Sequence, residues 1–295
     1  MRKGLLFILM LGLSLFLAAC GSSGEGESSS DSNGGEEASN SDSKWSEIKE
    51  EGEIVVGTSG TLFPASYYPE GSDEMTGYDV EIMREVADRL GVDLKFEEYG
   101  VDSLLPAINS GRIDAAINDM EVTKDRQEQF SFSDPYKYSY STMIVRESDL
   151  SGIETLEDLE GKKHGGGSTT VFAQIAEHFG AEIIPYDNVA NDVYLRDVDN
   201  GRTDVVINDY YLQSLALEAL PQFDVQLHPD LKFHPTNSAI VMPKGATELQ
   251  KEINKVLQEM QDDGTLTELS KEFFGGKDAS KEPEEDIQEI EGLDL

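Results

Sequence analysis

Gly111-Arg112-Ile113-Asp114-Ala115-Ala116-Ile117-Asn118-Asp119 returns further along the chain as Gly201-Arg202-Thr203-Asp204-Val205-Val206-Ile207-Asn208-Asp209. The spacing between the two copies exceeds the roughly 20–50 residues of a solenoid repeat, so the pattern points to two similar lobes. In each copy an apolar run ends in Asn-Asp, the signature of a buried strand with polar groups at its C-terminal end. Ligands of α/β sheets sit at that end. Two such ends facing each other would make a cleft with acidic walls.

The residues around the repeat extend this reading. Glu53–Thr58 is a β-branched run that predicts a strand. Tyr78–Leu90 carries Val80, Ile82, Met83, Val86, Ala87 and Leu90 at helical spacing and is followed by Gly91, which predicts an amphipathic helix with a glycine stop. A strand over 92–97, a short helix over 103–109 and a strand over 112–118 complete a β-α-β-α-β run, the pattern of a parallel sheet. The second half repeats the order. Residues 162–167 open it, then come a helix over 170–179, a strand over 182–186, a helix over 188–199, a strand over 203–208 and a helix over 210–220. A long helix over 248–262 stops at Gly264, and a short one follows over 265–274. Residues 138–146 and 237–243 are extended and apolar, the natural places for the chain to pass between lobes.

The ends differ from the body. Arg2 and Lys3 precede an apolar run over 4–17, too short and wrongly flanked for a good membrane span. It closes in Leu17-Ala18-Ala19-Cys20, which resembles a bacterial lipobox and implies diacylation of Cys20 with cleavage before it. Cys20 is the only cysteine, which excludes an intrachain disulfide and a cysteine-based zinc site or nucleophile in the folded part. Residues 21–44 are almost free of apolar side chains and are expected to be a flexible tether. The acidic tail over 276–295 is expected to be mostly free, with Ile287, Ile290, Leu293 and Leu295 able to dock. With 59 acidic against 23 basic residues and a net charge of −36, nucleic-acid binding is excluded on electrostatic grounds. Anionic lipid would also be repelled, so membrane attachment must come from the lipid on Cys20.

Other chemistries find little support. Gly165-Gly166-Gly167-Ser168-Thr169-Thr170 looks like a phosphate cradle but lacks the Gly-Lys-Ser/Thr ending of a P-loop. No GxSxG elbow is present, and His164, His178, His228 and His234 show no metal-ligand spacing. Each histidine reads as a core or surface residue. An enzyme, a bound metal and a cofactor are therefore not expected.

Four stretches carry a specific resemblance: Gly77-Tyr78-Asp79-Val80-Glu81-Ile82; Leu104-Leu105-Pro106-Ala107 with Gly111 and Asp114; Thr123-x-x-Arg126 followed by Phe132-Ser133-Asp134-Pro135-Tyr136; and Asp263-Gly264-Thr265 with Phe273-Phe274-Gly275. In this order, over residues 54–275, the chain resembles the bacterial extracellular solute-binding proteins of family 3, the polar amino-acid receptors of ABC importers. The resemblance implies a periplasmic-binding-protein-like fold: two α/β lobes joined by two hinge strands, closing over one amino acid. It implies lobe 1 over 45–139 with 236–275, and lobe 2 over 140–235. It also implies a monomer on the extracellular face of the membrane that delivers its ligand to a permease and ATPase complex. A sensor lipoprotein using the same fold without transport is the rival within the fold.

The family's site transfers residue by residue. Arg126 takes the position that grips the substrate α-carboxylate, for which a guanidinium fork is suited. Thr170, with Thr169 beside it, takes the second-lobe hydroxyl position before a helix, where N–H groups suit an anion. Asp209 takes the ammonium-binding position, with Asn118 at the facing strand end. Departures stand at Leu62, where many members have an aromatic ring, leaving Phe63, Tyr67 or Tyr68 to replace it, and at Val101, where an aromatic or leucine is common. Asp119 and Glu121 replace small or hydroxyl residues. Unpaired buried carboxylates are costly, so these two acids predict a ligand with a second positive group, cystine or a dibasic amino acid, unless Glu121 points out of the cleft or pairs with Lys124 or Lys137.

Overall fold

The structure, a computed structural model, describes residues 43–186 and 188–293. The export signal, Cys20 and most of the tether lie outside the described residues. Trp45 and Ile48, three apart, are buried on one face of a first helix, α1 (Ser43–Glu51). That helix begins inside the expected tether because these two side chains give it an apolar face to pack into the first core. The first lobe follows with β1 (Glu53–Thr58), a small hairpin of β2 (Thr61–Leu62) and β3 (Ser66–Tyr67), α2 (Tyr78–Leu90), β4 (Asp93–Glu98), α3 (Val101–Asn109), β5 (Ala115–Ala116), α4 (Lys124–Gln129) and β6 (Phe130–Phe132). The buried side chains of α2 include five of the six apolar positions that predicted it, and Gly91 ends it in the left-handed region at φ 71°. Only glycine takes that conformation without strain.

β7 (Lys137–Arg146) carries the chain into the second lobe. There follow β8 (Lys163–Gly166), α5 (Val171–His178), β9 (Glu182–Pro185), α6 (Asn191–Asp199), β10 (Val206–Asp209), α7 (Tyr210–Ala219), β11 (Val225–Leu227) and β12 (Phe233–Ser238). β13 (Val241–Pro243), α8 (Thr247–Asp263) and α9 (Thr265–Phe273) return to the first. The expected lobe boundaries at 139/140 and 235/236 thus fall inside β7 and β12.

The first sheet has the order β4-β1-β5-β13-β6, with β1 parallel to both β4 and β5 and β13 antiparallel to its neighbours. β5 is shorter than the predicted strand over 112–118. Asp114 takes the Val55 N–H on its own side chain at 2.9 Å, and Asp119 turns the chain away at φ 50°. The second lobe departs from the expected parallel sheet. β7 pairs antiparallel with β10, β11 and β12, while β8 pairs in parallel with β9. β8 reaches toward β10 through an isolated bridge, His164 to Val205.

Two apolar clusters flank the first sheet, one built on α2 and α8 and the other on α3. Two more belong to the second lobe. The molecule is therefore a two-lobe α/β protein. The acidic tail, expected to be mostly free, is instead docked through residue 293. Tyr138 N–H donates to Ala279 at 2.8 Å, and His234 N–H donates to Gln288, also at 2.8 Å. Ala279 is buried in the first core, while Ile290 and Leu293 pack on the second. Backbone pairing and these few apolar residues outweigh the charge repulsion that the composition suggested.

Candidate functional site

The strand ends of both lobes converge on a cavity of about 110 Å³. The first lobe lines it with Leu62 from β2, Val101 at the start of α3, and Asn118, Asp119 and Glu121 from the turn after β5. Arg126 of α4 joins them. The second lobe supplies His164 and the three glycines at the end of β8, Thr170 at the N-cap of α5, and Asn208 of β10. Seven of the ten candidate ligand residues thus share one cavity. Phe63, Thr169 and Asp209 are not among its lining residues.

Arg126 is fixed by its backbone as well as its side chain. Thr123 caps α4, its hydroxyl accepting from Arg126 N–H at 3.2 Å. The guanidinium then donates from Nη1 to the Glu121 carbonyl at 2.9 Å and from Nη2 to the Thr169 carbonyl at 3.0 Å. The second bond spans the two lobes, so Thr169 serves Arg126 through its backbone. Burial lowers the Arg126 pKa, with Glu121 pulling the other way, and a guanidinium remains charged under such a shift.

Asp102 closes the same lip. Its Oδ1 accepts from Thr169 N–H at 3.1 Å and Thr169 Oγ1 at 2.7 Å, and its Oδ2 accepts from Ser168 N–H at 3.3 Å. Thr61 Oγ1 donates to Asn188 across the cleft at 2.9 Å. The glycine run, read from sequence as a weak phosphate cradle, is explained by close packing. A Cβ on Gly165 would lie 2.8 Å from the Tyr186 ring, one on Gly166 2.6 Å from His164 Nε2, and one on Gly167 2.7 Å from Val101 Cγ1.

The acids of the site are placed differently from their expected roles. Lys137, at the start of β7, is 1% exposed and lies 2.9 Å from Asp119 Oδ1 and 2.7 Å from Asp209 Oδ2. Burial alone would lower the lysine pKa, but Asp119 and Asp209 outweigh it and raise it. Burial pushes the Asp209 carboxyl up despite the same lysine. With Nζ at 2.7 Å the contact is an ion pair, since the raised lysine stays protonated. The other Asp209 oxygen caps α7 by accepting from Leu212 N–H at 3.0 Å. Asp119 also accepts from Ser238 Oγ at 2.5 Å. Its backbone N–H donates to Asp79 at 2.6 Å. Asp79 is fully buried, and burial, reinforced by Asp119, raises its pKa to about 8. The carboxylate foreseen as unpaired at Asp119 therefore has a partner in Lys137, which it shares with Asp209.

Glu121 does line the cavity. His234 Nε2 donates to its Oε1, and its Oε2 has no hydrogen-bond partner among the described residues. The ring expected from Phe63, Tyr67 or Tyr68 is not supplied by them. Phe63 packs edge-on against Tyr67 with centroids 4.9 Å apart, and Tyr68 is exposed. Phe172 and Tyr194 of the second lobe line the cavity instead. Sequence reasoning named Lys137 only as a partner for Glu121 and missed its place between Asp119 and Asp209; it missed Asp102, and it left His164 and His234 as ordinary residues. A lysine opening the otherwise uncharged run YSYSTMIV was the one available signal for the first.

Two α/β lobes with a shared cavity at their strand ends, bridged at the lip by an arginine, define a solute-binding protein of the periplasmic-binding type. The profile of the bacterial extracellular solute-binding proteins, family 3, matches residues 54–276, and the chain belongs to that family. It is 50% identical to the probable ABC transporter extracellular-binding protein YckB of Bacillus subtilis (strain 168), over 98% of this chain and 97% of the relative. It is 32% identical to the L-cystine-binding protein TcyA of the same organism, over 95% of this chain and 100% of the relative. A crystal structure of YckB from Bacillus subtilis superposes with a TM-score of 0.67 at 55% identity, covering 84% of this chain and 99% of that one. These relatives are solute-binding proteins, not enzymes.

Proposed function

We propose that this protein is the lipid-anchored extracellular receptor of an amino-acid ABC importer and that its ligand is L-cystine or a similar net-neutral amino acid. The observation that carries the reading is Arg126, a cation held at the cavity by carbonyls from both lobes. A ligand α-carboxylate there would engage the guanidinium and the N-terminus of α5 together. The ammonium falls to Glu121, whose Oε2 has no hydrogen-bond partner among the described residues; Asp209 is committed to Lys137 and to its helix cap.

The charge balance narrows the ligand. Asp119 already has Lys137, which it shares with Asp209, so a second ligand ammonium is not needed to pair it; Arg126 and Glu121 remain at the cavity for one carboxylate and one ammonium. The aromatic and aliphatic lining suits a long uncharged middle, as in a disulfide-linked side chain, and a relative bears the name of an L-cystine-binding protein. Hinges between β6 and β7 and between β12 and β13 let the lobes close, and Cys20 carries the lipid.

Titration calorimetry of the purified protein against the common amino acids and L-cystine tests this. The wild type binds L-cystine, and Arg126→Ala weakens it by at least about thirtyfold, since breaking one side of a desolvated charge pair costs about 2–5 kcal/mol. Near wild-type affinity in a folded Arg126→Ala protein removes the carboxylate role.

A further inference from the structure

His164 is fully buried, yet it lines the ligand cavity. Its position is built by the backbone. Nδ1 accepts the Ile207 N–H at 3.2 Å, a donor that a regular parallel ladder between β8 and β10 would have given to a carbonyl. The imidazole therefore wedges the two strands apart beyond the single His164–Val205 bridge. Gly166, two residues on and on the same face, leaves room for the ring: a Cβ there would stand 2.6 Å from Nε2.

The accepting role of Nδ1 fixes the tautomer. A backbone N–H only donates, so Nδ1 is bare and the proton of the neutral ring sits on Nε2. Nε2 has no hydrogen-bond partner among the described residues. A buried donor left unpaired carries a desolvation cost, which an acceptor on a bound ligand would relieve. Burial lowers the His164 pKa to about 4, so the ring is an uncharged donor at neutral pH.

We propose that His164 Nε2–H is a specificity-determining donor that recognises an acceptor oxygen on the side chain of the bound amino acid. The inference rests on the amino-acid-receptor reading above. Arg126 and the α5 N-terminus already serve the α-carboxylate, which leaves His164 for a second carboxylate, as in L-cystine, or a side-chain carbonyl. An amino acid without a side-chain acceptor leaves this donor unpaired and is discriminated against.

Two substitutions separate the wedge from the donor. In His164→Asn the amide oxygen takes the Nδ1 position and still accepts from Ile207 N–H, but nothing reaches the Nε2 position. In His164→Gln the amide reaches the Nε2 position and abandons Ile207. Binding of L-cystine and of L-arginine, which has no side-chain acceptor, is measured by calorimetry, with thermal unfolding of each ligand-free protein as the control for folding. His164→Asn is expected to weaken L-cystine at least about tenfold, leave L-arginine unchanged and keep the ligand-free midpoint. His164→Gln is expected to unfold at lower temperature while keeping most of the L-cystine affinity. Should His164→Asn not fold, the wild type decides through its imidazole proton resonance, which shifts downfield on saturation with L-cystine and not with L-arginine. Unchanged L-cystine affinity in His164→Asn, equal losses for both ligands, or an unmoved resonance overturns the His164 proposal alone. A wild type that binds no amino acid overturns the receptor reading and this inference with it.

Discussion

Replacing Asp79 with Asn should flatten a defined part of the stability profile against pH. Asp79 is fully buried in α2, accepts the Asp119 N–H at 2.6 Å, and has a pKa raised to about 8 by burial and by Asp119. Its unfolded value is about 3.9. A group raised on folding contributes stability that is fully present below the unfolded pKa and is lost as pH rises through the folded one. Between about pH 4 and 8 the folded protein holds a proton that the unfolded chain has released, so stability falls by about 1.4 kcal/mol per pH unit. Over roughly four units the loss is on the order of 5 kcal/mol. Asparagine imitates the protonated acid in shape and in its acceptor for the Asp119 N–H. Urea unfolding of wild type and Asp79→Asn at half-unit steps from pH 4 to 9 reads the difference directly, with the other acids common to both. The two proteins should match near pH 4, and the mutant should be several kcal/mol more stable at pH 8. A difference that does not change across this window refutes a protonated Asp79.

Two further outcomes are expected. Asp102→Ala removes acceptors that hold Thr169 and Ser168 across the lip; at a partly exposed site this costs about 1 kcal/mol, roughly fivefold in ligand affinity, and small-angle scattering at subsaturating ligand should show a larger radius of gyration than wild type. An unchanged affinity would show that these bonds do not bias closure. Cys20→Ser should abolish lipid incorporation and leave the precursor unprocessed at this position, followed by labelled-palmitate uptake and gel mobility; a mature-sized, membrane-bound Cys20→Ser protein would contradict the anchor.

Much of the fold was legible because local pattern and tertiary packing agree along it. The α2 helix appears with its glycine stop because its apolar spacing meets one core. The second sheet was misread because the sequence shows each strand but not its partner. One imidazole in β8 takes a backbone donor of β10, and β10, β11 and β12 all pair antiparallel with β7. The site residues named by family resemblance converge for the most part on the cavity, since their backbone positions are set by the strand ends. Electrostatic roles were harder to read. Asp119 looks unpaired in sequence because its partner Lys137 is 18 positions away at the start of β7, and Asp209 looks available because its ion pair with Lys137 is tertiary. Glu121 lines the cavity and also has a partner, His234 in place of Lys124 or Lys137, while its other oxygen has no hydrogen-bond partner among the described residues.

Lys137 also sets how the lobes can move. It sits where the chain crosses over, with an acid of the first lobe on one side and an acid of the second on the other. Any motion that pulled the lobes directly apart at this point would strand a charge away from water, which costs several kcal/mol. Swinging the lobes about the ammonium costs nothing of the kind. In an opening motion the lysine would be an axle: the bonds of Arg126 and Asp102 at the mouth would part while the back of the cleft stayed pinned, a rotation with its pivot inside the protein.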